Sequence, residues 1–398
     1  MGLDPLLLLL LVAAIAIGWA LGRWQYAQPS ERYPNHLSGS DLSRDYFQGL
    51  DHLMSDRPDE AIESFIRALE INSDTIPAHL ALARLLRRKG EVDRAIRVHQ
   101  TLLARPGLSH QDFIRIQMAL ARDYEAIGLL DRAENLLHEI IRDNPGPQLR
   151  AQALKLLIKL YEKEGEWRDA LEAGRQLDAN ERATIAPALA QYCCELAELS
   201  LTRRHWREAE ASLREALSLN PRVVRATLLM ARMAMERQAW NDAIKALRRV
   251  REQEPLLVSE TIALLQHCYH ETGRLREFES YLESCMVHAP STTVLLARAE
   301  LIRERDGVVA AGLFITDELK NRPSVRGFNR LIDLHLEYGA NSARESLSVL
   351  RGLTGQLEQS KPIYQCVRCG FSGRTLHWHC PSCREWDSTR PIQGLEGE

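Results

Sequence analysis

The sequence predicts an all-α protein: an array of about eight to nine stacked helix pairs, with one apolar helix before it and a small four-cysteine module after it. Three observations predict this. A helix-turn-helix pattern recurs between residues 42 and about 350, residues 6–22 form an uncharged apolar run, and four of the eight cysteines form two Cys-x-x-Cys pairs near the end. Composition agrees: 45% hydrophobic and 26% charged residues over 398 positions is ordinary globular usage. Lys+Arg 51 against Asp+Glu 54 leaves a net charge of -3, so there is no overall basic excess of the kind nucleic-acid binding uses.

The first element is the apolar run. At roughly 1.5 Å per residue it spans about 26 Å, the short end of what crosses a bilayer core. Trp19, Trp24 and Tyr26 cluster at one end, where amphipathic rings favour the interface. A cleavable signal peptide needs a basic start, and Met1 to Pro5 supply an acid, Asp4, instead. Residues 1–22 are therefore expected to be a transmembrane anchor. Arg23 and Arg32 follow the run and no Lys or Arg precedes it, which places the body on the cytoplasmic side. Residues 23–41, with Pro29, Pro34, Ser38, Gly39 and Ser40 and no apolar period, are expected to be a tether.

The array, expected over residues 42–354, carries a landmark in the second half of each unit: one or two charged or polar residues, then a small one. Ala61, Ala95, Ala133, Ala170, Ala209 and Ala243 are spaced by 34, 38, 37, 39 and 34 residues, and Phe278 follows after 35 more. Gly90, Gly128, Gly165 and Gly273 lie five residues before it, where the chain must turn and a left-handed conformation is cheap only for glycine. Pro145, Pro221, Pro255 and Pro290 close units twelve residues after it, and Pro323 closes a weaker one. Apolar residues three before the landmark include Trp167, Trp206 and Trp240; Val92, Leu130 and Leu275 fill the same register, so it is read as core packing. The landmark, turn and period together resemble the tetratricopeptide repeat. That resemblance implies one right-handed superhelix, with units near 292–323 and 325–350 as a degenerate cap.

On the first helix of each pair, the register eleven residues before the landmark reads Arg84, Arg122, Lys159, Glu198, Arg232 and His267. Arg84, Arg122, Lys159 and Arg232 form a candidate positive stripe for an acidic partner segment; a solvated face is the competing reading.

The last region, 355–398, opens with a polar connection over 355–362 and holds the strongest chemical signal. Cys366-Val-Arg-Cys369 and Cys380-Pro-Ser-Cys383 are two knuckles with ten residues between them. Such knuckles point four thiolates at one centre and suit tetrahedral coordination of one soft or borderline metal ion, zinc by default. His377 and His379 lie between them, but four cysteines already complete a tetrahedron, which leaves the histidines to packing or the surface. Trp378 and Trp386 are candidates for an apolar lid. A module this small cannot build a sufficient core alone, so it is expected to pack against the last helical pairs. It resembles a rubredoxin-type or zinc-ribbon domain, and that resemblance, to an iron family, implies iron as the alternative to zinc. It departs from the electron carriers in its short loop and in Arg384, which stands where a second glycine is expected. Cys193, Cys194, Cys268 and Cys285 sit in apolar helical patterns as small core residues, in keeping with a reducing compartment.

No phosphate loop, dinucleotide fingerprint, zinc-protease motif or Gly-x-Ser-x-Gly elbow occurs, so an enzyme is not expected. His267 and His270, three apart beside Cys268, lack a second metal-spaced pair.

Anchor, repeat array and terminal knuckles together are similar to the lipopolysaccharide assembly protein B family of Gram-negative bacteria, over essentially the whole chain. The resemblance implies a non-catalytic adaptor of the cell inner membrane, single-pass, that regulates lipopolysaccharide synthesis. It implies two partners: the membrane AAA+ metalloprotease, and the lipid A-pathway deacetylase whose degradation the adaptor promotes. Other lipopolysaccharide-synthesis enzymes at the cytoplasmic face are further partners, and nucleic acid is not one. A pure assembly scaffold and a redox or metal sensor built on the four-cysteine centre are the alternatives.

Overall fold

Every full repeat turns at the same register, whether or not glycine stands there. Gly90, Gly128, Gly165 and Gly273 hold φ of +85°, +79°, +75° and +67°. Asp56, Arg204 and Gln238 occupy the same place in the other three units at +56°, +59° and +59°, a conformation that costs a residue with a Cβ. Two residues later the second helix begins, so Pro58, Val92, Leu130, Trp167, Trp206, Trp240 and Leu275 are each the first residue of a helix.

The structure, a computed structural model, describes residues 39–71, 75–338 and 341–398. The expected anchor, and the expected tether up to residue 38, lie outside the described residues. Among the described residues no helix is long and apolar enough to cross a membrane. These residues form nine helix pairs: α1 (Gly39–Met54) with α2 (Pro58–Ile71), α3 (Ile76–Arg88) with α4 (Val92–Leu103), α5 (His110–Ala126) with α6 (Leu130–Arg142), α7 (Pro147–Glu164) with α8 (Trp167–Arg175), and α9 (Ala179–Thr202) with α10 (Trp206–Leu219). They continue as α11 (Val224–Glu236) with α12 (Trp240–Gln253), α13 (Ser259–Glu271) with α14 (Leu275–His288), α15 (Thr292–Asp306) with α16 (Val308–Asn321), and α17 (Val325–Tyr338) with α18 (Asn341–Ser360). A three-stranded antiparallel sheet follows, order β2-β1-β3, from β1 (Tyr364–Cys366), β2 (Ser372–Gly373) and β3 (Thr389–Pro391).

The landmark residues face inward. Ala61, Ala95, Ala133, Ala170, Ala209, Ala243 and Phe278 are all buried, and each small side chain lets its two helices approach closely. The chain divides into two compact units at Leu136 and Leu137. In the first, Ala61, Phe65, Leu82, Leu86 and Ala95 form a core. Buried Asp123 there accepts from Arg87 Nη1 at 2.6 Å and pairs with His99 Nδ1. In the second, Leu247, Leu257, Leu265, Tyr269, Phe278 and Leu282 join α11 to α15, and Leu295, Ile315, Leu319 and Leu334 join α15 to α17. Cys193, Cys194, Cys268 and Cys285 are buried in this second unit, and burial pushes the Cys193 thiol up to about 12.

Both ends of the array differ from expectation. Helix α1 starts at Gly39, inside the expected tether. Helix α18 runs to Ser360, through most of the expected connection, despite two glycines. Tertiary contacts override the local propensity: Thr354 Oγ1 donates to Asn329 Oδ1, Asn329 Nδ2 donates to Glu358 Oε2, and Arg374 Nη1 donates to the carbonyls of Glu358 and Lys361.

Candidate metal centre

The two knuckles fold alike. In each, the first cysteine's N–H donates to the carbonyl five residues on: Cys366 to Phe371 at 2.7 Å, Cys380 to Glu385 at 3.0 Å. In each, the residue four on donates back to that cysteine's carbonyl at 2.9 Å, Gly370 to Cys366 and Arg384 to Cys380. The geometry demands positive φ at that residue, and Arg384 adopts +56° where Gly370 adopts +79°. The departure noted in the sequence is therefore a chemical substitution on the same backbone.

This backbone brings the Sγ atoms of Cys366, Cys369, Cys380 and Cys383 within 4.8 Å of one another. Cys366 and Cys383 stand 3.8 Å apart and Cys369 and Cys380 3.7 Å. A tetrahedron of sulfurs about 2.3 Å from an ion has edges of about 3.8 Å, so the four fit one zinc- or iron-sized ion. Electrostatics agree. Burial opposes ionisation of Cys366, but Ser388 Oγ at 3.3 Å and the N–H groups of Arg368 and Cys369 bring its thiol down to about 6. The Glu385 N–H favours the thiolate of Cys383, yet partial desolvation and its three sulfur neighbours push that thiol up to about 12. Four thiolates at this separation need a cation among them. Cys366 and Cys380 are buried, while Cys369 and Cys383 face outward.

A family model described as a rubredoxin metal binding domain matches residues 364–391, and tetratricopeptide repeat models match 52–122 and 194–256. The chain is 36% identical over 393 residues to lipopolysaccharide assembly protein B of Escherichia coli (strain K12), covering 98% of this chain and 99% of that one. It is 35% identical over 401 residues to the protein of the same name from Haemophilus influenzae, again covering 98% and 99%. The chain belongs to the lipopolysaccharide assembly protein B family.

In this family member the centre is seated on the second helical unit. Trp386, three residues after Cys383, donates its indole N–H to Glu162 Oε1 on α7 at 2.8 Å. The other oxygen of Glu162 accepts from the Tyr192 hydroxyl of α9 at 2.6 Å. Burial and that bond hold the Tyr192 phenol far above its ordinary range. The Trp386 ring meets Trp167 and Tyr192 edge-on, with centroids 6.1 and 6.0 Å away. His379 stacks on Trp386 at 4.3 Å and turns Nε2 to the Arg384 carbonyl at 2.9 Å, with Glu162 Oε1 3.5 Å away. Tyr364 donates to Glu260 of α13 at 2.7 Å, Arg390 pairs with Glu254 at 3.1 Å, and Leu376 and Trp378 cover the core cluster of α11–α15. The module thus touches more than the last pairs. It reaches back to α7 through a contact spanning 224 residues of sequence. Both tryptophans read as a lid face the helices.

Sequence reasoning flagged Trp167 and Trp386 but missed Glu162, Tyr192, Glu254 and Glu260, for which no local pattern exists. Of the tryptophan trio, Trp240 packs on the core beside His267, and Trp206 lies under Arg237. His270 lies on the surface. Among the stripe residues, Arg84 and Arg122 come together with Arg87 in the first unit. Burial, then Arg87 and Arg84, lower the pKa of Arg122. In the second unit Lys159 and Arg232 are exposed, Arg232 acting on Glu260, while Glu198 of the same register is engaged by Arg225 at 3.0 Å.

Proposed function

We propose that the chain is a non-catalytic, membrane-tethered adaptor that regulates lipopolysaccharide synthesis. It does so by presenting the lipid A-committing deacetylase to a membrane AAA+ metalloprotease at the cytoplasmic face of the inner membrane. The reading is carried by full-length likeness to relatives named for lipopolysaccharide assembly. In this reading the apolar run 6–22 is the anchor, the residues from there to 38 the tether, the helix pairs from Gly39 to Ser360 the docking array, and the residues after them the module and tail. Cys366, Cys369, Cys380 and Cys383 would ligate one zinc or iron ion, whose role is to close a module too small to fold unaided. Arg84, Arg122, Lys159 and Arg232 would offer positive charge to acidic partner segments, and tethering would raise the local concentration of weak membrane partners.

The deciding experiment follows the deacetylase half-life after depletion of this protein. A longer half-life, restored by the full chain but not by one lacking residues 1–22, is expected; an unchanged half-life leaves a pure assembly scaffold in front. The outward position of Cys369 and Cys383 favours a second reading, a redox or metal sensor. A zinc-loaded, redox-silent centre in the purified protein would remove it.

A further inference from the structure

Beyond the sheet, residues 392–398 turn back onto the array and end between two helix starts. Glu398 is the anchor of this segment, its side chain only 6% exposed. Its Oε1 accepts from Arg326 Nη1 of α17 at 2.6 Å and from Thr293 Oγ1 at 2.7 Å, while Oε2 accepts from the Thr293 N–H in the first turn of α15 at 2.9 Å. Main-chain contacts fix the rest. The Val325 N–H donates to the Leu395 carbonyl at 2.9 Å, and Thr292 Oγ1 lies 3.3 Å from the Gly397 carbonyl. An arginine, a hydroxyl, a helix-start N–H and one backbone pair are the parts with which a protein holds an acidic peptide.

The chain's own segment seats Glu398 fully but leaves the neighbouring apolar subsite open. Leu395 is 53% exposed beside an open cavity of about 290 Å³, whose apolar wall includes Met286, Pro290, Leu295 and Pro323. Gln393 and Gly394 are exposed as well, and exposed Glu396 pairs with Lys361 Nζ at 3.0 Å, outside the cavity. Glu398 also acts as a like charge on half-buried Glu260, which opposes its seating. The segment carries two glycines and leaves its best apolar subsite partly empty.

We infer that the junction of α15 and α17 is a binding site for an acidic peptide segment of a partner protein, carrying a large apolar residue three positions before a glutamate, and that residues 395–398 occupy it as an internal placeholder. The partner's segment displaces the tail and fills the cavity beside Leu395. This deepens the adaptor reading and rests on it only for the source of the peptide.

The test uses the full chain and a fluorescein-labelled peptide with the sequence of residues 392–398. A Cβ at Gly397 would collide with the Ile392 carbonyl oxygen that accepts from the Glu398 N–H, so Gly397→Ala breaks the turn that seats Glu398 without changing any charge. The peptide should bind Gly397→Ala at least ten-fold more tightly than the unsubstituted chain, whose tail competes at high effective concentration. Adding Arg326→Glu should abolish that binding. Metal content and melting are checked on each variant, and if Gly397→Ala loses its ion, Glu398→Lys serves as the tail-releasing variant. No binding to the released chain, equal binding to the unsubstituted chain, or binding that survives Arg326→Glu overturns the inference. The deacetylase half-life is a separate readout and can succeed or fail independently.

Discussion

The helix pairs and the knuckle module bury apolar surface by opposite means. The array repeats one local solution: a left-handed turn, a helix starting two residues later, and a small buried landmark such as Ala95 or Ala209. Each pair relies on its neighbours, so a single defect is shared. The module has no such redundancy. Its short sheet converges on four sulfurs, and its larger side chains, Trp378 and Trp386, are spent on the helices it sits against. Damage should therefore be graded in the array and close to all-or-none in the module.

The largest expected effect breaks that comparison at its strong end. Replacing buried Cys380 with Ser, or stripping the ion with a chelator, should abolish metal binding and unfold residues 364–391, a loss on the order of 10 kcal/mol for the module. Metal analysis should fall from one ion per chain to none, while far-UV helical signal persists with a lowered transition for α7–α18. A Cys380→Ser chain that kept one ion and an unchanged melting curve would show that the four sulfurs do not act as one centre.

The seat on α7 comes next. Trp386→Ala removes a half-buried ring from contact with Trp167, Tyr192 and His379 and should destabilise the seated module by about 2–4 kcal/mol. A double-mutant cycle between Glu162→Ala and Trp386→Phe isolates the indole N–H to carboxylate bond, expected to couple by about 1.5–3 kcal/mol in urea unfolding. Additive losses would mean the module is held by its other contacts alone.

This difference also decides what a reader of the sequence can see. Repetition writes itself locally: the landmark and its glycines marked the inter-helix turns, and the structure starts a helix two residues after each of seven such turns, from Pro58 to Leu275, because period and turn chemistry sit within one unit. The cluster of four cysteines was legible for the same reason, because two Cys-x-x-Cys turns bring four sulfurs together. The seat was not. Glu162 looks like any surface glutamate near a helix end until Trp386 arrives from 224 residues away. Only Trp167, in a register otherwise explained by packing, hinted at an aromatic surface. The extension of α18 through residues 355–360 was hidden likewise, because Asn329 and Arg374 stabilise it from outside the helix.

Turn chemistry sharpens the graded end. Gly90 has nothing within 4 Å of a built Cβ, so Gly90→Ala measures backbone strain alone and should cost about 1 kcal/mol. Arg204→Gly at the matching turn should move stability the other way by about 0.5 kcal/mol, the strain released slightly exceeding glycine's entropy cost. Arg384→Gly in the second knuckle tests the same strain beside the metal. Urea midpoints that shift in the same direction for Gly90→Ala and Arg204→Gly would refute a shared left-handed turn.

The smallest expected effect is a pH dependence at the seat. Burial, with Glu398 adding repulsion, holds the Glu260 carboxyl above its ordinary value, although the Tyr364 hydroxyl bond pulls the other way. A carboxyl raised in the folded state binds its proton more tightly there than in the unfolded chain. Stability from this group therefore falls as pH climbs from the ordinary carboxylate range, about 4, through the raised value, and the penalty is complete above it. Glu260→Gln keeps an acceptor for Tyr364 and has no charge to desolvate. Its stability relative to the unsubstituted chain should rise with pH across that window and level off above the raised value. If Glu260→Gln instead lost ground as pH rose, the ionised carboxylate would be stabilising the seat, and the Tyr364 bond would outweigh the burial that opposes it.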